Sequence, residues 1–152
     1  ATGTAPERTG NYHPNLTPYQ VFDCRDGHII IATGNDPQYQ RLCDILGLES
    51  MAKDPQFLTN ADRIANREKM VDALSTQTKT MTKDQLLKEC EDKGVPAGPI
   101  NSMDEVFADP QVMHRQMQVE LDGIPSVRSP FKFSDAELSL QKASPKLGEN
   151  NL

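Results

Sequence analysis

The stretch Tyr19–Leu46, YQVFDCRDGHIIIATGNDPQYQRLCDIL, constrains the fold more than any other part of the chain. Tyr19–Arg25 alternates roughly between apolar and polar residues. Asp26-Gly27 predicts a two-residue hairpin turn, because a type I′ turn needs positive φ at both central positions. His28–Thr33 carries three consecutive isoleucines and suits a strand covered on both faces. Gly34-Asn35 breaks that strand. Asp36-Pro37 then opens a helix, with Asp36 as N-cap and Pro37 at the first helical position. Tyr39, Leu42, Cys43 and Leu46 recur at helical spacing, and Gly47 ends the helix. A hairpin that feeds a Gly-Asn-Asp loop and a helix start can form the wall of a binding cleft.

Further helices follow from caps. Asp54-Pro55 opens a short turn over Gln56–Leu58. Thr59 caps a helix expected to run unbroken to about Thr80, with Ile64, Val71, Leu74, Thr78 and Met81 inward. Arg63, Arg67, Glu68, Lys69 and Asp72 read as its solvated face. Thr82 and Gln85 form a capping box, as do Ser102 and Glu105, and Asp109-Pro110 caps a last turn. The first of these boxes opens a helix carrying Leu86, Leu87 and Cys90 that stops at Gly94. Val95–Ile100 (VPAGPI) reads as extended and loop-like. Met117–Leu121 alternates as a strand with one wet face, turned by Asp122-Gly123. Ser129-Pro130 precedes Phe131 and Phe133, a short edge strand. Strands at both ends and helices between imply an α+β fold. Its small, mostly antiparallel sheet of three to four strands would be built from Tyr19–Arg25, His28–Thr33, Met117–Leu121 and Phe131–Phe133, with packed helices.

The net charge of −6 disfavours nonspecific nucleic-acid or anionic-membrane binding, which needs a basic face. No apolar run approaches the roughly 18 residues of a membrane span. Three widely spaced cysteines, Cys24, Cys43 and Cys90, with no C-x-x-C, point to buried thiols in a reducing compartment. His13, His28 and His114 lack metal-ligand spacing, so no metal site is expected. No nucleotide fingerprint surrounds Gly34, and no nucleophile elbow occurs. Asp36 could act as an acid or base in a cleft, but as an N-cap it would bind the first helical N–H groups instead. His13, beside Tyr12 in a Pro-rich loop, is either a substrate contact or a hydrogen-bonded surface histidine. Gly94–Pro99 carries no polar side chain and can only shape a wall.

Read in order, several motifs form a pattern: Gly10-Asn11-Tyr12-His13-Pro14 with Pro18-Tyr19; Asp26-Gly27; Thr33-Gly34-Asn35-Asp36; Asp54-Pro55 with Phe57, Asn60, Arg63 and Asn66-Arg67; Gly94–Pro99; Asp109-Pro110-Gln111; Ser129-Pro130; and Pro145–Glu149. This pattern resembles the family III CoA-transferases, which include formyl-CoA transferase, the carnitine-CoA transferases and α-methylacyl-CoA racemase. The resemblance covers about Gly10 to Leu152 and matches only the small domain of that fold. It implies a linker over residues 1–12 and a single small domain over 13–152. A large domain beyond this chain would carry the nucleophilic aspartate and most CoA contacts.

The resemblance further implies that Gly34, Asn35, Asp36 and His13 face the acyl end of a CoA ester. No catalytic residue is expected in this segment, Asp36 being the one candidate. CoA esters would be substrates rather than tightly bound cofactors. The whole protein would act on an acyl-CoA and a carboxylic acid, pair with a second copy, and work in the cytoplasm or an organelle matrix. In the racemase branch a glutamate acts on the α-proton where this chain has Asp36, so an acyl-CoA racemase or epimerase is the alternative. A noncatalytic binding module is the third reading.

Overall fold

A computed structural model of the protein describes residues 3, 5, 8 and 10–151. The expected linker over residues 1–12 therefore falls partly outside the described residues. The opening hairpin is present, with β1 (Tyr19–Cys24) antiparallel to β2 (Gly27–Ala32). Cys24 pairs with Gly27, so the two turn residues are Arg25 and Asp26, one position earlier than expected. Neither turn residue has positive φ, and Gly27, the first residue of β2, sits at φ 154°. The shift goes with contacts to a distant segment. The Arg25 N–H donates to Met81 O at 2.9 Å. Asp26 Oδ1 accepts from Lys83 N at 2.8 Å, the first residue of a later helix, so the turn doubles as that helix's cap.

The third strand, β3 (Ala97–Ile100), comes from the segment read as loop. It pairs antiparallel with β2, Ile31 opposite Ala97 and His28 opposite Ile100, to give the order β1-β2-β3. Pro99 is tolerated because an edge strand needs hydrogen bonds on one side only. Gly98 leaves room for the Ile30 methyl, which would lie 3.6 Å from an added Cβ.

Helix α1 (Asp36–Ile45) lies on one face of the sheet with α3 (Arg67–Thr78) and α4 (Lys83–Asp92). Phe22, Ile29 and Ile31 from the sheet meet Tyr39, Leu42 and Cys43 from α1, Met70 and Leu74 from α3, and Leu86 and Cys90 from α4. Gly47 and Gly94 stop α1 and α4 in the left-handed region, at φ 67° and 64°. The residue after each returns an N–H to the helix: Leu48 to Cys43 O and Val95 to Cys90 O, both at 2.8 Å.

The long helix expected from Thr59 to Thr80 is two. Helix α2 (Asn60–Ala65) ends at Asn66, whose side-chain amide donates to Asp62 O at 3.0 Å and Gln56 O at 3.2 Å. Thr59 and Asp62 form a capping box at the start of α2. The inward stripe runs through Arg63, Met70, Leu74 and Thr78. Ile64 is 36% exposed. Arg63, read as solvated, is 1% exposed.

Residues 1–100 form one unit and residues 101–152 a second. The second contains α5 (Met103–Ala108), α6 (Pro110–His114), β4 (Gln118–Leu121) and β5 (Ile124–Val127). Asp122 and Gly123, at φ 52° and 76°, make the expected tight turn. That turn hands β4 to β5, so this hairpin is a separate two-stranded sheet and does not extend the first. Phe131 and Phe133 form no strand and are 70% and 59% exposed. None of the described residues of this unit is buried.

Ile64 in α2 and Leu74 in α3, both expected inward, separate on truncation. Leu74→Ala should cost about 2–5 kcal/mol, the usual range for emptying a packed leucine site. Ile64→Ala should cost under about 1 kcal/mol, as for a surface change. Urea unfolding of both variants checks this, and the reverse order would move the buried face to Ile64.

Candidate functional site

The site at the start of α1 is assembled around a buried guanidinium. Thr33 ends the β2 strand by donating its N–H and its hydroxyl to Pro18 O, at 3.0 and 2.8 Å. The chain then enters the Gly34–Asp36 loop. Asn35, not Asp36, is the N-cap: its Oδ1 accepts from Gln38 N at 3.0 Å. The Gly34 N–H donates to Gln38 Oε1 at 2.7 Å.

Asp36 therefore occupies the first helical position, and its carboxylate is released from capping. It pairs instead with Arg63, NH2 to Oδ1 at 2.7 Å. The Arg63 side chain is 1% exposed and that of Asp36 is 47% exposed, so a buried cation holds a half-open anion. The rest of the guanidinium is also engaged. Its Nε donates to Thr17 O at 2.9 Å, and NH1 donates to Phe57 O and Leu58 O at 3.1 and 3.2 Å. Its plane lies over the Tyr39 ring, 4.5 Å from the centroid.

Neighbouring residues hold the loop before β1 in the same way. Asn60 accepts from Thr17 N at 3.1 Å and donates to Asn15 O at 2.8 Å. Arg67 NH2 donates to His13 O and Pro14 O at 3.0 and 3.1 Å, and its guanidinium covers the Tyr12 ring at 4.5 Å. His13 itself stacks on Tyr19, with ring centroids 5.2 Å apart and planes 21° apart. Its Nδ1 accepts from the N–H groups of Asn15 and Leu16, both at 3.1 Å. Its own N–H donates to Tyr19 O at 2.9 Å. Tyr19 pairs with Ala32 across the sheet.

His13 and Gly34–Asp36 thus lie at the same end of the β1–β2 ladder. No hydrogen bond joins the His13 ring to the loop among the described residues.

The residues missed by sequence reasoning are Asn60, Arg63 and Arg67. The signal was present but polar. Asn60, Arg63, Arg67, Met70, Leu74 and Thr78 continue one stripe at spacings of three and four. Counting only apolar residues along that stripe shifts the apparent face toward Ile64 and Val71.

The three thiols are buried. Burial pushes Cys43 and Cys90 up to about 11 from 9.0, and Cys24 shifts in the same direction, again chiefly through burial. At neutral pH they pack as small hydrophobes rather than act as nucleophiles. Burial likewise raises the Tyr39 phenol. Among the described residues no group of three or more His, Cys, Asp or Glu side chains could hold a metal ion. No described helix is long and apolar enough to cross a membrane.

A family model described as CoA-transferase family III matches residues 1–151. Succinate–glutarate CoA-transferase of Agrobacterium fabrum is 46% identical over 98% of this chain and 38% of its own length. Succinyl-CoA:glutarate CoA-transferase of Homo sapiens is 34% identical over 95% of this chain and 34% of its own length. The crystal structure of a CaiB/BaiF family protein from Brucella suis superimposes with a TM-score of 0.88 at 48% identity, covering 97% of this chain and 39% of that one. The chain thus spans between a third and two-fifths of the length of these proteins.

Arg63→Ala should cost about 2–5 kcal/mol, since it empties a buried site and strips the Thr17, Phe57 and Leu58 carbonyls of their donor. Asp36→Asn should cost less, since the amide oxygen still accepts from NH2. Denaturant unfolding of both variants reads the difference, and equal small losses would show that the pair is not a structural hub.

The raised thiols set a second expectation. Above about pH 9 the unfolded thiols release protons that the folded chain retains, so the unfolded state binds fewer protons and stability falls. The loss should begin near pH 9 with the thiols, and above about pH 10 the buried Tyr39 phenol adds to it in the same direction. Urea midpoints across that window check it, and Cys43→Val should flatten the slope.

Proposed function

Because the chain belongs to the family III CoA-transferases, we propose that it forms the small, cleft-lining domain of an enzyme moving CoA between an acyl-CoA and a carboxylic acid. The observation that carries this reading is the family match over residues 1–151. The 46% identity to a succinate–glutarate CoA-transferase supports a short dicarboxylic acid as the acid substrate. In this proposal the whole protein has a large domain that supplies a nucleophilic aspartate and most CoA contacts. It works in the cytoplasm or an organelle matrix and pairs as a homodimer. CoA esters enter as substrates and no cofactor is held tightly.

The second unit supports a covering partner. Met103, Met113, Phe131 and Phe133 are all more than half exposed, at 68, 64, 70 and 59%. Large apolar groups left open in this number mark an interaction surface, and the proposed occupant is the protein's own large domain.

Within this reading the loop is Gly34, Asn35 and Asp36, with His13 beside it. An aspartate at the place of the racemase glutamate favours transfer over racemisation. The Asp36 carboxylate is engaged by the Arg63 guanidinium, NH2 to Oδ1 at 2.7 Å, and its role in this reading is to hold the wall of the cleft.

The full-length protein should exchange label between an acyl-CoA and a free dicarboxylic acid, without placing deuterium at the acyl α-carbon in deuterated water. Asp36→Asn should lower the exchange rate by less than about tenfold, where loss of a general base costs about 10²–10⁴. Deuterium uptake without exchange, abolished by Asp36→Asn, would favour the racemase instead. Failure to bind any CoA ester would leave the noncatalytic module.

A further inference from the structure

We propose that His13 is a preorganised hydrogen-bond donor, holding its proton on Nε2 and offering that N–H to an sp² oxygen of the acyl substrate. This rests on the CoA-transfer reading for the identity of the ligand, and on geometry for everything else.

The tautomer follows from the network around the ring. Nδ1 receives two backbone N–H groups, from Asn15 and Leu16, each at 3.1 Å. A ring nitrogen that accepts carries no proton, so in the uncharged imidazole the proton sits on Nε2. The ring plane is fixed by the stack on Tyr19. The backbone is fixed on both sides, by His13 N to Tyr19 O at 2.9 Å and by Arg67 NH2 to His13 O at 3.0 Å.

Everything about this histidine is committed except Nε2, which has no partner among the described residues. It is not sealed either, since His13 is only half-buried. This donor is locked in direction and lies at the same end of the β1–β2 ladder as Gly34–Asp36. Because Nε2 holds the proton, it has no lone pair to act as a base. The chemistry it recognises is a carbonyl or carboxylate oxygen, either the thioester of the acyl-CoA or the free acid.

The bracing and donating halves of the ring can be separated. Asn at this position places Oδ1 near the Nδ1 position, so it can still accept from Asn15 and Leu16 while losing the outward donor. Gln instead reaches the Nε2 position with an N–H.

On the 152-residue chain labelled with ¹⁵N-histidine, NMR should show His13 protonated at Nε2 and not at Nδ1. In the full-length protein carrying the same label, titration with glutarate and, separately, with acetyl-CoA should move the His13 Nε2 signal saturably. The ligand that moves it distinguishes the carboxylate source from the thioester source. His13→Asn should keep the thermal midpoint within a few degrees yet weaken that binding about tenfold or more, as for a lost hydrogen bond to a charged group. His13→Gln should recover part of it.

A proton on Nδ1, an Nε2 signal that neither ligand moves, or unchanged binding in His13→Asn would each overturn the proposal. Absence of CoA exchange in the full-length protein, with the His13 signal still responding to glutarate, would remove the transfer reading and leave the donor site standing.

Discussion

The first unit depends on one buried cation. A guanidinium taken out of water is costly unless every donor finds an acceptor. Arg63 places four of its five N–H groups by drawing three chain segments to itself: Thr17 before the first strand, Phe57 and Leu58 before α2, and Asp36 at the start of α1. These segments are far apart in sequence. The hydrophobic core sets how the helices lie on the sheet, and the Arg63 network sets where the loops at one end of it stop. The cleft wall is thus a polar construction resting on an apolar one.

The same physics explains why Asp36 is a wall rather than a reagent. At the N-cap it would have bound the free amides of the first turn. Asn35 takes that place, which moves Asp36 by one residue and aims its carboxylate at Arg63. A displacement of one residue along a helix start turns a side chain through about 100°, so capping identity decides which group reaches the guanidinium. His13 shows the complementary case. Its ring is braced through Nδ1 and the stack on Tyr19, leaving a single unused donor.

Much of the fold was legible because its signals are local. Helix starts at Thr59, Thr82 and Ser102, stops at Gly47 and Gly94, and the Asp122-Gly123 turn each rest on a few adjacent residues whose backbone preferences are strong. The errors share a different cause. Ala97–Ile100 looked like loop because its proline and glycine are poor strand formers, yet an edge position beside β2 asks for little. Phe131–Phe133 looked like a strand by composition, and no neighbouring strand pairs with it. Arg63 looked solvated because charge normally means exposure, and only the carbonyls of distant segments make burial affordable.

The sequence by itself determined the opening hairpin, most helix starts and stops, the α+β class, the apolar stripes of α1 and α4, the buried thiols and the motif order that marks the family. Each depends on contacts within about one turn or one hairpin. Tertiary structure alone decided the strand that completes the sheet, the break at Asn66, the ion pair between Asp36 and Arg63, and the free donor on His13. Those depend on which backbone carbonyls and amides remain unpaired once the core has closed, a count that no local pattern contains.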